Sequence, residues 1–197
     1  MKKILNKMKI KYVEAEDEAT FYGPKLDLQY KDVYGKEDTL ITIQIDFALP
    51  EKFDLKYLDK DGKEKHPMII HRSSTGATER IIAYLLEKTQ GNLPLWLSPI
   101  QTKVMTMNDN VKDYAKEIKD KLTEAGIRTE LDDSNTSMGK KARKAIVEKA
   151  FYLLTVGEKE SNQNKIAIRK RDSKEITTTT LDKFITQLKE EIKNKTL

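Results

Sequence analysis

Four residues within the stretch HRSSTGATER stand at one junction where a polar ligand could be met: His71, Gly76, Glu79 and Arg80. They stand where an apolar run, Pro67-Met68-Ile69-Ile70, gives way to Ile81, Ile82, Leu85 and Leu86 at helical spacing. The spacing predicts a strand, a glycine turn and a helix. A glycine ahead of a helix lets the backbone approach a ligand closely. An arginine in the first turn can send its planar guanidinium back over the strand, to stack on a base or bind phosphate. A solvated or ion-paired surface arginine is the alternative reading of Arg80. Upstream, Lys25 follows the glycine-proline turn of FYGPK and opens an alternating run, Leu26, Leu28, Tyr30. Within TLITIQIDF, Gln44 shares one strand face with Thr42 and Asp46. From local sequence alone, Lys25 is equally a surface lysine and Gln44 a sheet residue satisfied by cross-strand hydrogen bonds. In the second half, Asn135, Lys140, Lys141 and Arg143 gather around a helix start, where backbone N–H groups and cations bind phosphate. Asn135, Glu160 and Arg169 are types that read the edges of unstacked bases. A solvated helix face and a surface strand residue are the alternatives there.

These residues need elements to position them. Ile4, Leu5, Met8 and Ile10 among lysines predict the end of an amphipathic helix leading into an extended piece at Lys11-Tyr12-Val13. Leu58-Asp59-Lys60-Asp61-Gly62-Lys63 carries an Asp-Gly hairpin signal between Phe53–Tyr57 and the strand at Pro67, so those two are expected to pair antiparallel. Hairpins followed by one long helix argue for a mostly antiparallel sheet backed by helices, and no Walker-type loop occurs. From Pro99 the pattern becomes alternating strands and helices, which puts a domain boundary near Leu97. Strands are expected at Gln101–Met107, Ile127–Asp132 and Phe151–Val156. Helices are expected at Asn110–Ala125, with Val111, Tyr114, Ile118 and Leu122 inward, and at Met138–Ala150, with Ala142, Ile146 and Val147 inward. Two β-α-β crossovers in a row imply parallel strands. Extended pieces at Ile166–Lys170 and Glu175–Thr180 then precede a closing helix, Leu181–Lys195, burying Leu181, Phe184, Ile185, Leu188 and Ile192. The fold class is α/β in the broad α+β sense, with domains at 1–97 and 98–197.

The 197 residues suffice for one large or two small domains without metal or disulfide staples, and the absence of cysteine removes disulfides and thiolate metal sites. Charged residues make up 35% of the chain with a formal charge of +5, which permits a nucleic-acid partner without demanding one. No membrane-spanning stretch or secretory signal is present in the sequence, so the expected location is the cytoplasm.

HRSSTGATER, its apolar helix and the following Leu95-Trp96-Leu97-Ser98-Pro99 resemble the third signature motif of class II threonyl-tRNA synthetases. FYGPKLD at 21–27 and the layout of the last hundred residues resemble the same family in the same order. The resemblance implies a partial antiparallel catalytic sheet followed by a mixed-sheet anticodon-binding domain. It implies ATP-dependent ligation of threonine to its tRNA, with ATP and magnesium as cofactors. By resemblance Tyr22 and Lys25 lie on the amino-acid side of the active site, Gln44 faces the substrate and the terminal adenosine of tRNA, and Gly76, Glu79 and Arg80 bind ATP. His71 matches one of three zinc ligands. The other two, the arginine of the second motif, the first motif with its dimer interface and the editing region belong to parts of the family not present in this chain. Zinc is therefore not expected on this chain alone, and the expected partners are a second chain that supplies the missing motifs or, as the other form of association, a second copy in a homodimer. Asn135, Lys141, Arg143, Glu160 and Arg169 are implied to bind the anticodon. Thr39 and Ala77 depart from the family, which has glutamine and serine there. The competing function is a tRNA-binding module without catalysis.

Overall fold

The computed structural model describes residues 1–196, which divide into two compact units, Met1–Glu87 and the described residues from Lys88 onward. In the first unit, helix α1 (Lys2–Lys7) precedes strands β1 (Lys25–Lys31) and β2 (Glu37–Asp46), the five-residue helix α2 (Ala48–Lys52), strands β3 (Tyr57–Leu58), β4 (Glu64–Lys65) and β5 (Ile69–Arg72), and helix α3 (Thr78–Thr89). The sheet has the order β1-β2-β5 and is antiparallel throughout. The hairpin expectation is corrected in part. The Asp59–Gly62 turn joins β3 to β4 as a separate two-stranded ribbon, and β5 pairs with β2 instead. The stretch ahead of Phe53 is helical because Asp46 accepts the Ala48 and Leu49 N–H groups with one oxygen, a side-chain cap that satisfies donors left over at a helix start.

The second unit contains β6 (Thr102–Thr106), a 3-10 turn (Asp109–Val111), α4 (Lys112–Glu124), β7 (Thr129–Asp132), α5 (Met138–Val147), β8 (Tyr152–Val156), α6 (Glu158–Asn162), β9 (Ile166–Lys170), β10 (Thr177–Thr179) and α7 (Leu181–Lys193). Its five strands run β10-β9-β8-β6-β7; β6 is parallel to both β7 and β8, as two successive crossovers require, and β9 and β10 are antiparallel. Val111, Ile118, Leu122, Phe184 and Leu188 pack with Val104, Leu154, Ile166 and Ile168 on one side of this sheet. Met105, Ala145, Ala150 and Leu153 pack on the other.

The inward face of α5 is not the expected one. Ala145 is buried and Ala142 packs beside it, but Ile146 and Val147 are exposed, and the third inward position is Lys141. The stripe Met138, Lys141, Ala142, Ala145 follows the 3.6-residue period as well as the apolar choice did, and small Ala145 permits close approach to the sheet. The Leu97 boundary also falls inside the second unit. Arg128 donates to the Ser98 and Trp96 carbonyls, Gln101 to Leu95 and Arg171 to Leu93, so residues 93–98 are fastened to the strands that follow them. Among the described residues no helix is long and apolar enough to cross a membrane.

Candidate functional site

Pairing register assembles the first cluster. Lys25 lies opposite Gln44, and Gln44 lies opposite His71. Residues directly opposite share a face, so the three form a row across the sheet. Tyr22 joins it from the turn before β1: its hydroxyl donates to Gln44 Oε1 at 2.5 Å, and its ring meets the His71 imidazole edge-on at 5.8 Å between centroids. That turn is held by Phe47 N–H to the Tyr22 carbonyl and Ile45 N–H to the Pro24 carbonyl, both 3.0 Å. Lys25 is paired with Asp27 at 2.8 Å, and this hydrogen bond raises its pKa.

His71 Nε2 lies 2.8 Å from Asp46 Oδ2. Burial pushes the Asp46 carboxyl up, but the Leu49 N–H, the His71 imidazole and the Ala48 N–H outweigh it and hold its pKa below the usual carboxylate value. The pairing of Asp46 with His71 was not read from the sequence. Its signal was present: an acid on the same strand face as Gln44, bounded by apolar residues, requires a partner once buried.

The remaining residues sit elsewhere on the unit. Arg80 reaches β2 instead of the strand just before its helix: its Nη1 donates to the Thr39 carbonyl at 2.5 Å and its Nε lies 3.9 Å from Asp38 Oδ1. Thr39 and Gln44 are five positions apart, about 17 Å along an extended strand, so Arg80 is not beside the Lys25 row. Gly76 marks the same end as Arg80. Its φ is +60°, its N–H donates to Ser73 Oγ, and a Cβ built there would lie 2.1 Å from the Leu40 carbonyl oxygen. Glu79, in the first turn of α3, is exposed.

For zinc, His71 contributes one imidazole nitrogen beyond the one facing Asp46, and no group of three His, Cys, Asp or Glu able to hold a metal occurs among the described residues. A zinc site takes three or four protein ligands, so this donor set does not fit one.

In the second unit, Asn135 and Thr136 are exposed on the β7–α5 loop, and they line a pocket of about 220 Å³ with Thr106, Asn108, Asp109 and Lys141. The pocket lies beyond the carboxyl ends of parallel strands β6 and β7, the usual position for a ligand crevice in such sheets. Lys141 is the correction here. Its residue exposure is 3%, and its ammonium donates to the Thr106 carbonyl at 2.8 Å and hydroxyl at 3.0 Å, so it is no surface phosphate contact. Lys140 and Arg143 remain exposed on α5. Arg169 is half-buried opposite Leu153, on the α5 side of the sheet, away from its buried neighbours Ile166 and Ile168. Glu160 is half-buried and accepts the Gly157 N–H at 3.1 Å, capping its own short helix.

Residues 1–89 match the model of the tRNA synthetase class II core domain (G, H, P, S and T), and residues 99–191 match that of the anticodon binding domain. The chain belongs to the class II aminoacyl-tRNA synthetases. Within them its relatives are threonine–tRNA ligases: that of Clostridium perfringens strain 13 is 48% identical over 195 residues, and that of Clostridium botulinum strain Eklund 17B is 50% identical over the same length. Each match takes in 99% of this chain and 30% of the relative, so the chain spans about a third of the length of these relatives. The crystal structure of the RNA binding domain of threonyl-tRNA synthetase from Cryptosporidium parvum superposes with a TM-score of 0.85 at 34% identity, over 96% of this chain and 48% of that one. Prolyl-tRNA synthetase from the same organism, at 18% identity and a TM-score of 0.71 over 92% of this chain and 39% of that one, shares the fold.

Proposed function

We propose that this chain carries part of the machinery that ligates threonine to its tRNA at the expense of ATP. The observation that supports this most directly is the register that lines up Lys25, Gln44 and His71 on one strand face, with Tyr22 fixed against two of them. In this reading the row holds the amino acid, with Lys25 meeting negative charge at its acyl end and Gln44 oriented by Tyr22 toward substrate and tRNA terminus. Arg80, with Gly76 and Glu79, serves the nucleotide at the other end of β2. ATP with magnesium, when bound, supplies the activated phosphate. The chain's own contribution is positioning and fixed positive charge, which is how such displacements are promoted. Exposed apolar residues of the first unit, Phe21, Phe53 and Ile70 among them, support association with a second copy or with a chain that carries the remaining motifs.

The second unit binds tRNA in this reading, with Asn135, Glu160 and Arg169 reading anticodon bases and Lys140 and Arg143 meeting phosphates. The test is filter binding of threonine tRNA and an anticodon-swapped variant to the chain and to Arg169→Ala, at two salt concentrations. Arg169→Ala should cost about 1–3 kcal/mol, by analogy with base contacts in DNA, and mainly for the threonine anticodon. Arg143→Ala should weaken both RNAs alike and lower the salt slope by roughly one unit or less. Equal binding of both RNAs, unchanged by Arg169→Ala, would leave only a generic basic surface.

A tRNA-binding module without catalysis is the second reading, and the Arg80 contacts favour it. A guanidinium engaged by the Thr39 carbonyl and facing the Asp38 carboxylate is less available to a phosphate. Threonine-dependent exchange of pyrophosphate into ATP, lost in Arg80→Ala, would exclude that reading.

A further inference from the structure

We propose that Asp46 is a positioning residue that fixes the His71 imidazole as its Nε2–H tautomer, so that a lone pair on Nδ1 is what this strand face presents to a ligand. The Asp46 side chain has no solvent exposure, and its two oxygens have separate tasks. Oδ1 accepts the Ala48 and Leu49 N–H groups at 3.0 and 2.9 Å, and Oδ2 faces His71 Nε2 at 2.8 Å. An ionised carboxylate only accepts hydrogen bonds, so Nε2 carries the proton. A neutral imidazole has one N–H, which leaves Nδ1 unprotonated. The His71 side chain is 41% exposed and lies in the row with Gln44, so the ring is within reach of a ligand. The Nδ1 lone pair accepts from an ammonium, amine or hydroxyl hydrogen, groups that an amino acid with a side-chain hydroxyl carries. The opposite tautomer would offer those groups a competing N–H. The choice of ligand rests on the substrate reading above; the tautomer does not.

His66 provides an internal contrast. Its Nδ1 lies 2.9 Å from the Leu55 carbonyl, which also only accepts, so His66 is the Nδ1–H tautomer. These are the chain's two histidines, and the two rings should have opposite signatures.

The experiment is long-range ¹H–¹⁵N correlation of the imidazoles in the whole ¹⁵N-labelled chain at about pH 8, above the free-imidazole value of about 6.5. His66→Gln assigns the signals. Wild type should show a protonated-type Nε2 shift for His71 and the reverse for His66. Asp46→Asn should reverse the His71 pattern alone. The amide oxygen keeps the Ala48 and Leu49 contacts while its NH₂ faces Nε2, which must then accept, moving the proton to Nδ1. Asp46→Ser keeps a capping oxygen but removes the contact with His71, so the two tautomers should average. Thermal melting of each variant tells whether it folds, and the Ser variant decides if the Asn variant does not. A wild-type His71 with its proton on Nδ1, or a pattern that neither folded variant changes, overturns the assignment. Equal binding of threonine tRNA and the anticodon-swapped variant would end the anticodon reading of the second unit and leave this result standing.

Discussion

Gly76 tolerates no side chain, because its φ of +60° is left-handed and the Leu40 carbonyl oxygen occupies the place a Cβ would take. Gly76→Ala therefore combines left-handed strain of about 1–2 kcal/mol with displacement of a backbone atom, and a total loss of about 2–4 kcal/mol is expected. Faster hydrogen exchange at the β2 and β5 amides would register it; unchanged protection would mean the turn can relax. The glycine and Arg80 were legible before the fold because turn chemistry is local. The Asp46–His71 pair was not, since it depends on which strand lies beside β2, and the hairpin signal pointed to a different partner. Asp132 allows a pH test in the second unit. Burial pushes its carboxyl up, but the Ser134 hydroxyl and N–H, with Lys141 and Lys144 nearby, hold its pKa below the ordinary value. A depressed folded pKa stabilises fully above the unfolded value of about 3.9 and loses that contribution as pH falls through the folded pKa. Asp132→Asn should lower Tm at pH 6 and differ progressively less from wild type below about pH 4. A difference that persisted at the lowest pH would assign the effect to geometry instead of charge.

Helix α5 carries a similar lesson about elements. Periodicity located it correctly, but a stripe of three inward positions can be drawn on either of two adjacent faces when the helix contains alanines, lysines and two aliphatic residues near its end. Burying the Lys141 stem decided between them. A long lysine side chain can line an apolar seam if its ammonium finds acceptors, here both oxygens of Thr106. Val147 is 71% exposed, so Val147→Lys should change stability by less than about 0.5 kcal/mol. Ala145→Leu should cost about 1–3 kcal/mol through overpacking against Met105 and Leu153. Paired urea titrations of the two variants test this. The reverse ranking would restore the face first expected from sequence. The parallel β6, β7 and β8 were legible because each crossover has a strand, a helix and a strand in sequence, whereas the five-residue helices α2 and α6 are too short to show a period.

Among the described residues, every buried apolar side chain except Leu5 and Pro50 lies between Leu95 and Leu188. The second unit closes its own core, while the first leaves Phe21, Tyr34, Phe53 and Ile70 in contact with solvent. Two thermal transitions are therefore expected for the chain, with limited proteolysis leaving a resistant piece that begins near Lys88; a single transition with uniform cleavage would contradict it. The division was only approximately legible. The change to alternating strands and helices from Pro99 marked the neighbourhood of Leu97, but the arginines that fasten residues 93–98 come from 30 or more positions later in sequence. For heredity, the unequal cores mean unequal freedom. A region whose apolar residues satisfy one another can be moved by recombination into a new gene and still fold, so its sequence can be shuffled as a unit. A region whose apolar residues face outward is bound by whatever covers them, and the two must change together.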